Sequence, residues 1–172
     1  MNYYIREALE SDAERICQIY GYYVDNTYVT FTEINHSVDE YRQSIIDTKK
    51  DYPYFVACDE NDRVIGMAYG GRLRPHDAYK YSVETTIYLD HDIPRQSGIG
   101  KALYEKLEEG LKDLGYKFMY GVITDDNAAS IAFHKHLGFE EVGHFKDIGY
   151  KKGNWKGIVW YRKQIGDLNT FN

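Results

Sequence analysis

The chain has 172 residues, the length of one domain, and its 43% apolar and 28% charged residues predict a folded core and exclude a mostly disordered chain. It carries 21 Lys and Arg against 27 Asp and Glu, for a net charge of −6. Non-specific nucleic-acid binding needs a positive surface, so this average charge opposes it.

Two further classes of protein are disfavoured by the sequence. No apolar run approaches the roughly 18 residues of a membrane span, and the first residues lack the basic-then-apolar order of a signal peptide. The two cysteines, Cys17 and Cys58, supply neither a zinc ligand set nor a disulfide framework. Both are therefore predicted to be reduced core residues, which favours a cytoplasmic protein.

The N-terminal third is predicted to be a short strand followed by two helices. Residues Tyr3 to Arg6 are β-prone, and Ser11 with Glu14 fits a capping box at the start of a helix. A second capping box, Ser37 to Glu40, is predicted to open another helix that ends near Thr48. The segment between the two helices has no helical period and is predicted to be a loop.

The rest of the chain alternates strands with two helices. Strands are predicted at 54–58, 64–69, 83–89, 118–123, 141–148 and 158–163, and the first two form a hairpin. Helices are predicted at 99–114 and 128–137. The first of them has one apolar stripe, made of Ile99, Leu103, Leu107, Leu111 and Leu114. No linker or repeat interrupts this order, which predicts a single α/β domain with a mixed sheet over residues 1–172.

The segment from Arg95 to Lys101 carries two glycines, Gly98 and Gly100, between a predicted strand and a strongly amphipathic helix. Glycine permits a tight or left-handed backbone, and the amides at a helix start attract phosphate together with the helix dipole. The segment therefore predicts a phosphate or pyrophosphate site. A plain loop that begins a helix is the structural alternative.

Two familiar phosphate motifs do not fit this segment. A P-loop needs glycine where Arg95 stands and Ser or Thr where Ala102 follows Lys101. A dinucleotide fingerprint needs a third glycine or alanine where Leu103 stands, and no acidic residue lies at the distance expected for binding the ribose.

The order of the motifs resembles a known enzyme family. An Arg/Gln-x-x-Gly-x-Gly loop follows a strand, and a later strand is followed by Asn127-x-x-Ser130 and a helix that ends in Leu137-Gly138-Phe139. This resembles the GCN5-related N-acetyltransferase (GNAT) superfamily over nearly the whole chain. Four stretches are similar to its phosphinothricin and methionine sulfoximine acetyltransferase subgroup: Val83 to Leu89, Phe31, Asp77 to Tyr79, and Lys152 to Trp155.

The resemblance implies a mixed, mostly antiparallel central sheet with flanking helices and a splayed strand pair that binds acetyl-CoA. It also implies that backbone groups of Ile87, Tyr88 and Leu89 pair with the pantetheine arm of the cofactor. Asn127 and Ser130 would contact the cofactor chain. The diphosphate would be held by six consecutive residues: Arg95, Gln96, Ser97, Gly98, Ile99 and Gly100.

Glu84 is the candidate general base. Acetyl transfer needs a neutral amine, whereas amino groups are protonated near neutral pH, so a carboxylate within reach supplies the missing step. A carboxylate in an apolar strand is costly unless it is paired, which favours a functional role. The alternative is a glutamate that faces solvent or a cation such as Arg72 or Lys80.

His134 is the candidate partner of the departing thiolate. The resemblance places it where many superfamily members have tyrosine and where the subgroup has histidine. A histidine could supply either a proton or a positive charge. A structural histidine on an amphipathic helix is the alternative.

The acceptor is expected to lie near the loop that carries Arg72 and Arg74, because guanidinium groups suit a carboxylate or a phosphinate. Four aromatic side chains are expected to wall its aliphatic part: Phe31, Tyr79, Tyr81 and Tyr88. Thr86 is a further candidate substrate contact. Surface arginines and core tyrosines are the structural alternatives. The remaining histidines lack metal-ligand spacing, so no metal is expected.

Together these features predict an acetyl-CoA-dependent N-acetyltransferase that acts on the amino group of a small amino acid or analogue, of the phosphinothricin or methionine sulfoximine type. A polyamine, an aminoglycoside or a protein N-terminus is the alternative acceptor, and a non-catalytic CoA-binding module is the alternative outside enzymes. The subgroup resemblance implies a homodimer. Nucleic acid and membrane are not expected as partners.

Overall fold

The computed structural model describes residues 2–94 and 96–170. Within them one seven-stranded sheet has the order β1-β2-β3-β4-β5-β7-β6. The strands are β1 (Tyr3–Glu7), β2 (Tyr54–Asp59), β3 (Val64–Arg72), β4 (Ser82–Leu89), β5 (Phe118–Thr124), β6 (Glu140–Lys151) and β7 (Asn154–Gln164). Only the β4–β5 pair is parallel. The predicted mixed, mostly antiparallel sheet is confirmed.

Four α-helices lie beside the sheet in the described part of the chain: α1 (Ala13–Asn26), α2 (Val38–Thr48), α3 (Ile99–Asp113) and α4 (Ala128–His136). One face of the sheet packs against α3, whose buried side chains form a core cluster with residues such as Val83 and Met119. The other face packs against α1 and α2, with residues such as Val56 and Met67 in a second cluster. The sheet therefore separates two cores. No helix in the described ranges is long and apolar enough to cross a bilayer.

The apolar stripe of α3 is confirmed except at its end. Ile99, Leu103, Leu107 and Leu111 are fully buried, whereas Leu114 is 59% exposed. The helix ends at Asp113, and the left-handed backbone of Gly115 (φ +85°) then turns the chain away from the core. Leu114 therefore lies outside the regular helix, and its prediction as a core residue was wrong.

The first predicted capping box was also wrong, because a single turn of 3-10 helix, Glu10–Asp12, precedes α1. The Asp12 carboxylate accepts the Leu9 amide at 2.8 Å and binds Arg6 at 2.7 Å, so this aspartate stabilises the entry in place of Ser11. The second box is confirmed. The Glu40 carboxylate accepts the Ser37 amide at 2.7 Å, and the Ser37 hydroxyl accepts the Glu40 amide at 3.3 Å.

The last two strands are longer than predicted. β6 and β7 are joined by Lys152 and Gly153, both of which have a left-handed backbone (φ +47° and +78°). Two such residues form the tight turn that matches the twist of a hairpin. The ladder is irregular between Phe145 and Gly149, where the pairing register shifts. β6 is the edge strand of the sheet.

Candidate active site

The site is built around a gap between β4 and β5. The two strands pair only from Ser82 to Glu84 on β4, opposite Phe118 to Tyr120 on β5. Beyond this point they part, although β4 continues to Leu89. At the fork the Thr85 hydroxyl donates to the Tyr120 carbonyl at 3.1 Å, which fixes where the separation begins. The predicted splayed strand pair is present.

The edge of β4 that faces the gap can be read from its hydrogen bonds. The Tyr81 carbonyl accepts the Lys117 amide of the β5 side at 2.8 Å, whereas the Asp90 amide donates to Ile65 of β3 at 2.9 Å. Backbone groups alternate between the two edges along a strand. The backbone groups of Ile87 and Leu89 therefore face the gap.

This alternation corrects the expectation for Tyr88. Its backbone groups point to β3, where it pairs with Met67, so they are not available to a ligand in the gap. Its side chain instead lies on the face of the sheet that carries Glu84, because side chains two residues apart share a face. The Leu89 carbonyl already accepts a hydrogen bond from the Tyr23 hydroxyl at 2.7 Å. The Leu89 amide is therefore the group that remains for a ligand.

The first turn of α3 presents open amides beside the gap. Gly98 has a left-handed backbone (φ +83°) at the N-cap, and Gln96 is also left-handed (φ +62°). Ala102 is the first residue to donate within the helix, to the Gly98 carbonyl at 3.0 Å. Neither a capping side chain nor an acidic residue is present in this turn. The amides of Gly100 and Lys101 thus remain for an anion.

Two features bring this turn to the gap. A Cβ atom on Gly100 would lie 3.4 Å from the Phe133 ring of α4 and 3.7 Å from the Ile87 side chain of β4. The helix start is therefore packed directly on the splayed strand. Arg95, which was also predicted to hold the diphosphate, lies outside the described residues.

Asn127 and Ser130 lie at the start of α4. The Asn127 side-chain oxygen accepts the Ser130 amide at 3.1 Å, so this residue caps the helix. Its amide nitrogen is free to donate to a ligand. Ser130 is half-buried, and its carbonyl accepts a hydrogen bond from His134.

His134 is buried, with 2% of its surface exposed, and both ring nitrogens have partners. Nδ1 donates to the Ser130 carbonyl at 2.8 Å, and Nε2 lies 2.9 Å from the Tyr104 hydroxyl. A carbonyl can only accept, so in the neutral ring Nε2 accepts from Tyr104. The Tyr104 hydroxyl is also 3.1 Å from the Thr85 hydroxyl, whose single proton points either to Tyr104 or to the Tyr120 carbonyl. A buried polar network thus connects α4 to the point where the strands part.

Burial lowers the pKa of His134, so the ring is neutral near neutral pH. The close fit depends on Gly121 of β5, where a Cβ atom would lie 2.7 Å from Nε2. These features favour the structural alternative for His134 over a ring that touches a thiolate directly.

Glu84 lies on the other face of the sheet from Thr85, exactly one residue before the fork, and is half-buried. No hydrogen bond or ion pair to its carboxylate is present among the described residues. Burial raises the pKa of Glu84, and the nearby Arg74 guanidinium offsets only part of this rise. A half-buried, unpaired carboxylate with a raised pKa has the properties of a general base.

Aromatic side chains and hydroxyls surround this face of β4. The Tyr88 ring packs on Tyr20 with centroids 4.8 Å apart, and the Tyr20 hydroxyl is 2.6 Å from Thr30. Thr86 shares a side-chain hydrogen bond with Tyr69, and burial raises the pKa of Tyr69 to about 12. Burial also raises the pKa of Tyr88, so Tyr69 and Tyr88 are neutral and can form hydrogen-bonding walls for a small ligand.

The two predicted substrate arginines have different environments. Arg72 donates from Nε to the Arg74 carbonyl at 3.0 Å and also binds the Pro75 carbonyl, so it organises its own loop. The Arg74 guanidinium lies over the Trp160 ring, 5.5 Å from its centroid, and acts electrostatically on Glu84. Tyr79 is 45% exposed on a 3-10 turn of the same loop. Of Arg72, Arg74 and Tyr79, only Arg74 is shown to act on Glu84, the candidate base.

Phe31 is placed by the end of the β6–β7 hairpin. Its ring lies so close to Gly149 of β6 that a Cβ atom there would be 2.3 Å away. Lys151 is 1% exposed and donates to the Thr27 and Thr30 carbonyls at 2.9 and 2.8 Å. This buried lysine ties the loop that carries Phe31 to the hairpin, and the sequence analysis did not identify it.

A family model described as an acetyltransferase (GNAT) domain matches residues 5–160. The chain belongs to this family. It is therefore an acyltransferase of the GNAT fold, as the resemblance implied.

Several GNAT relatives and solved structures are similar over nearly the whole chain. An L-methionine sulfoximine/L-methionine sulfone acetyltransferase of Pseudomonas aeruginosa is 35% identical over 163 residues, covering 94% of each chain. A phosphinothricin N-acetyltransferase of Streptomyces coelicolor is 31% identical and covers 94% of this chain and 95% of its own. The crystal structure of a GNAT superfamily phosphinothricin acetyltransferase from Sinorhizobium meliloti, in complex with AcCoA, has a TM-score of 0.91 at 36% identity. It covers 96% of this chain and 90% of its own.

Proposed function

We propose that this GNAT domain transfers the acetyl group of acetyl-CoA to the amino group of a small amino acid or analogue, of the phosphinothricin or methionine sulfoximine type. The observation that carries the proposal is Glu84, a half-buried carboxylate without a partner among the described residues, placed where β4 and β5 part. The names of the relatives support the acceptor class.

The residues present fit acetyl-CoA, which supplies the acetyl group as an activated thioester. The backbone groups of Ile87 and Leu89 that face the gap suit the amide-bearing pantetheine arm, much as an extended peptide adds to a sheet edge. The open amides of the first turn of α3 suit the diphosphate, and the free amide nitrogen of Asn127 suits the chain between them.

Glu84 then acts as the general base. A typical amino group is protonated near neutral pH and cannot attack a thioester. Glu84 removes this proton, directly or through one water, and its raised pKa makes it a stronger base than an exposed glutamate. The Ile87 amide also faces the gap and lies nearer the fork than the Leu89 amide, so it is the donor that we assign to the acetyl oxygen as it gains negative charge.

We assign His134 a positioning role toward the departing thiolate. Because the ring is buried and both nitrogens are paired, it acts through Tyr104 and Thr85, which reach the fork, and not by contact. The neutral ring excludes the role of a positive partner near neutral pH.

Arg74 is the residue we assign to the anionic part of the acceptor, because it lies near Glu84 while Arg72 is engaged with its own loop. Phe31, Thr86 and Tyr88 would contact the aliphatic part from the walls of the same face. Tyr79 would close the site from the exposed turn.

The acceptor class is tested by measuring release of free CoA thiol with a panel of amines at fixed acetyl-CoA. Phosphinothricin, methionine sulfoximine and methionine sulfone are expected to react with the highest kcat/KM. Spermidine, an aminoglycoside and a peptide with a free N-terminus are expected to react at least about tenfold less well, because none places a carboxylate beside its amine. Thiol release with a polyamine alone would contradict the proposed acceptor, and no release with any amine would favour a CoA-binding module.

We also propose that the chain forms a homodimer through the β6–β7 hairpin. Five large apolar residues there are between 46% and 60% exposed: Val142, Phe145, Ile148, Tyr150 and Trp155. Large apolar side chains exposed on one hairpin favour an interaction surface, and β6 is the edge strand of the sheet, with one edge unpaired.

Phe145→Glu is expected to convert the dimer to a monomer, because a carboxylate in the centre of a buried apolar interface has no partner. Light scattering coupled to size-exclusion chromatography would show the mass falling to that of one chain, 20.1 kDa. Lys146→Glu adds negative charge at the neighbouring position and serves as the control. A wild-type protein that is monomeric at micromolar concentration would contradict the proposal.

The cytoplasmic location expected from the sequence remains a proposal that rests on the cysteines. Cys17 and Cys58 are both free. Burial raises the pKa of the Cys58 thiol to about 11, so it stays protonated and unreactive. Neither cysteine is engaged in a disulfide of the kind that marks an oxidising compartment.

A further inference from the structure

Trp160 on β7 carries a buried donor that the fold does not satisfy. Its Nε1 atom is shielded from solvent and has no hydrogen-bond partner among the described residues. An indole N–H is only a donor, and buried donors are nearly always paired. An unpaired donor beside an active site points to an acceptor group on the ligand.

The pairing register places Trp160 on the same face of the sheet as Glu84. Trp160 is opposite Val122 of β5, and Glu84 is opposite Tyr120, two residues away on the same strand. Paired residues share a face, as do residues two apart on one strand. The rings of Tyr120 and Trp160 are in edge contact, with centroids 6.3 Å apart.

Arg74 connects the two positions. Its guanidinium stacks on the Trp160 ring at 5.5 Å, and its charge acts on the Glu84 carboxylate. No hydrogen-bond or ion-pair acceptor for the Arg74 guanidinium is present in the described part of the chain. The Arg74 guanidinium, the Trp160 N–H and the Glu84 carboxylate therefore lie around one region on this face of the sheet.

This combination matches the two polar groups of an α-amino acid. The amino group belongs beside Glu84, which must take its proton, and the carboxylate attached to the same carbon belongs beside donors. We propose that the Trp160 Nε1–H donates a hydrogen bond to the acceptor's carboxylate, next to Arg74, and makes Trp160 a specificity-determining residue of the acceptor site. The inference rests on the proposed function and deepens it.

The test compares Trp160→Phe with the wild type on two acceptors, methionine sulfone and its carboxamide. Phenylalanine keeps an aromatic ring for Arg74 and removes the N–H, but its ring is smaller than indole, so the carboxamide separates the lost hydrogen bond from the lost volume. The KM for methionine sulfone is expected to rise about tenfold, with kcat and the KM for acetyl-CoA unchanged, because one hydrogen bond to a charged group is lost. The KM for the carboxamide is expected to rise much less, because its neutral oxygen accepts a weaker hydrogen bond than a carboxylate does. Trp155→Phe, at a position 60% exposed on the same strand, is the control. Because Trp155 belongs to the proposed dimer surface, light scattering checks that this variant keeps the mass of the wild type.

A binding measurement makes the result independent of turnover. The chain has two tryptophans, so in Trp155→Phe the emission comes from Trp160 alone. Methionine sulfone is expected to change this emission saturably, and the carboxamide is expected to change it much less.

Two results would overturn the inference. One is an equal KM change for both acceptors in Trp160→Phe, which would indicate altered shape. The other is an unchanged KM for methionine sulfone together with unchanged Trp160 emission. Either result would leave acetyl transfer to amino acids intact. Failure of the wild type to acetylate any amino acid would instead contradict the proposed function.

Discussion

Glu84→Gln is expected to lower kcat by about 10²–10⁴-fold while the affinity for acetyl-CoA stays unchanged. Glutamine keeps the shape of the side chain but cannot accept a proton from the amine. The cofactor is assigned to the gap edge and the first turn of α3, and neither involves the Glu84 side chain. Steady-state kinetics gives kcat, and calorimetric titration gives the affinity for acetyl-CoA.

The exposed Glu60, in the turn between β2 and β3, provides the matched control, because Glu60→Gln makes the same chemical change away from the site. The wild-type rate is expected to fall as pH drops through the pKa of Glu84, which burial places above its ordinary value. Glu84→Gln is expected to lack this acid limb. A variant with normal kcat and weakened acetyl-CoA binding would contradict the role of Glu84 as base.

The same variant has a second expected effect, on stability. Because the folded-state pKa of Glu84 is raised, its charged form is less stable in the folded protein than in the unfolded chain. The wild type therefore loses stability as pH rises from the ordinary pKa of glutamate through the folded-state pKa. Glu84→Gln should melt at a higher temperature at neutral pH, and the difference should shrink as pH falls to 4.

Ser97→Asp is expected to weaken acetyl-CoA binding about tenfold to a hundredfold and to make the protein more stable, not less. The first turn of α3 has open amides and no acidic residue, and the Ser97 hydroxyl lies 3.5 Å from the Ile99 amide. A carboxylate placed there would bind the amides and complement the helix dipole. It would also repel a diphosphate at the same position.

Ser97→Asn is the matched variant, since it has the same shape as the aspartate without the charge. Its affinity for acetyl-CoA is expected to stay within a few-fold of the wild type. Calorimetric titration and thermal melting measure the two effects on the same samples. If the aspartate and asparagine variants bind acetyl-CoA equally well, the cofactor's diphosphate does not lie at this helix start.

Much of the fold could be predicted because local patterns and tertiary packing agree. The α3 stripe is a 3.6-residue repeat that must face a core, and the Ser37 to Glu40 box satisfies its own amides. Leu114 is exposed because the apolar repeat runs one residue past the end of the helix at Asp113, just before the left-handed Gly115. The prediction that Ser11 caps the helix was wrong because Asp12 takes that role. Arg6 of β1 forms an ion pair with Asp12, a contact that the local capping pattern does not include.

Site residues could be predicted where a charged side chain stands in an apolar segment. They were harder to predict where a role depends on which edge of a strand the backbone groups face. Glu84 is a charge in an apolar strand, a conflict visible in the sequence. Tyr88 was wrongly given a backbone role, since only the hydrogen bonds of Tyr81 and Asp90 reveal which edge each residue faces. Trp160 follows the ordinary alternation of a strand. Its unpaired N–H and the Arg74 guanidinium that lies over its ring from a distant loop are visible only in the structure.

The central claim, that acetyl-CoA occupies the gap between β4 and β5 with its diphosphate on α3, is tested most directly by hydrogen exchange of individual amides, measured by NMR with and without acetyl-CoA. The amides of Leu89 and Gly100 are expected to exchange more slowly when the cofactor is bound, while that of Tyr88, already paired to β3, is expected to change little. Unchanged exchange at both Leu89 and Gly100 under saturating acetyl-CoA would contradict the account.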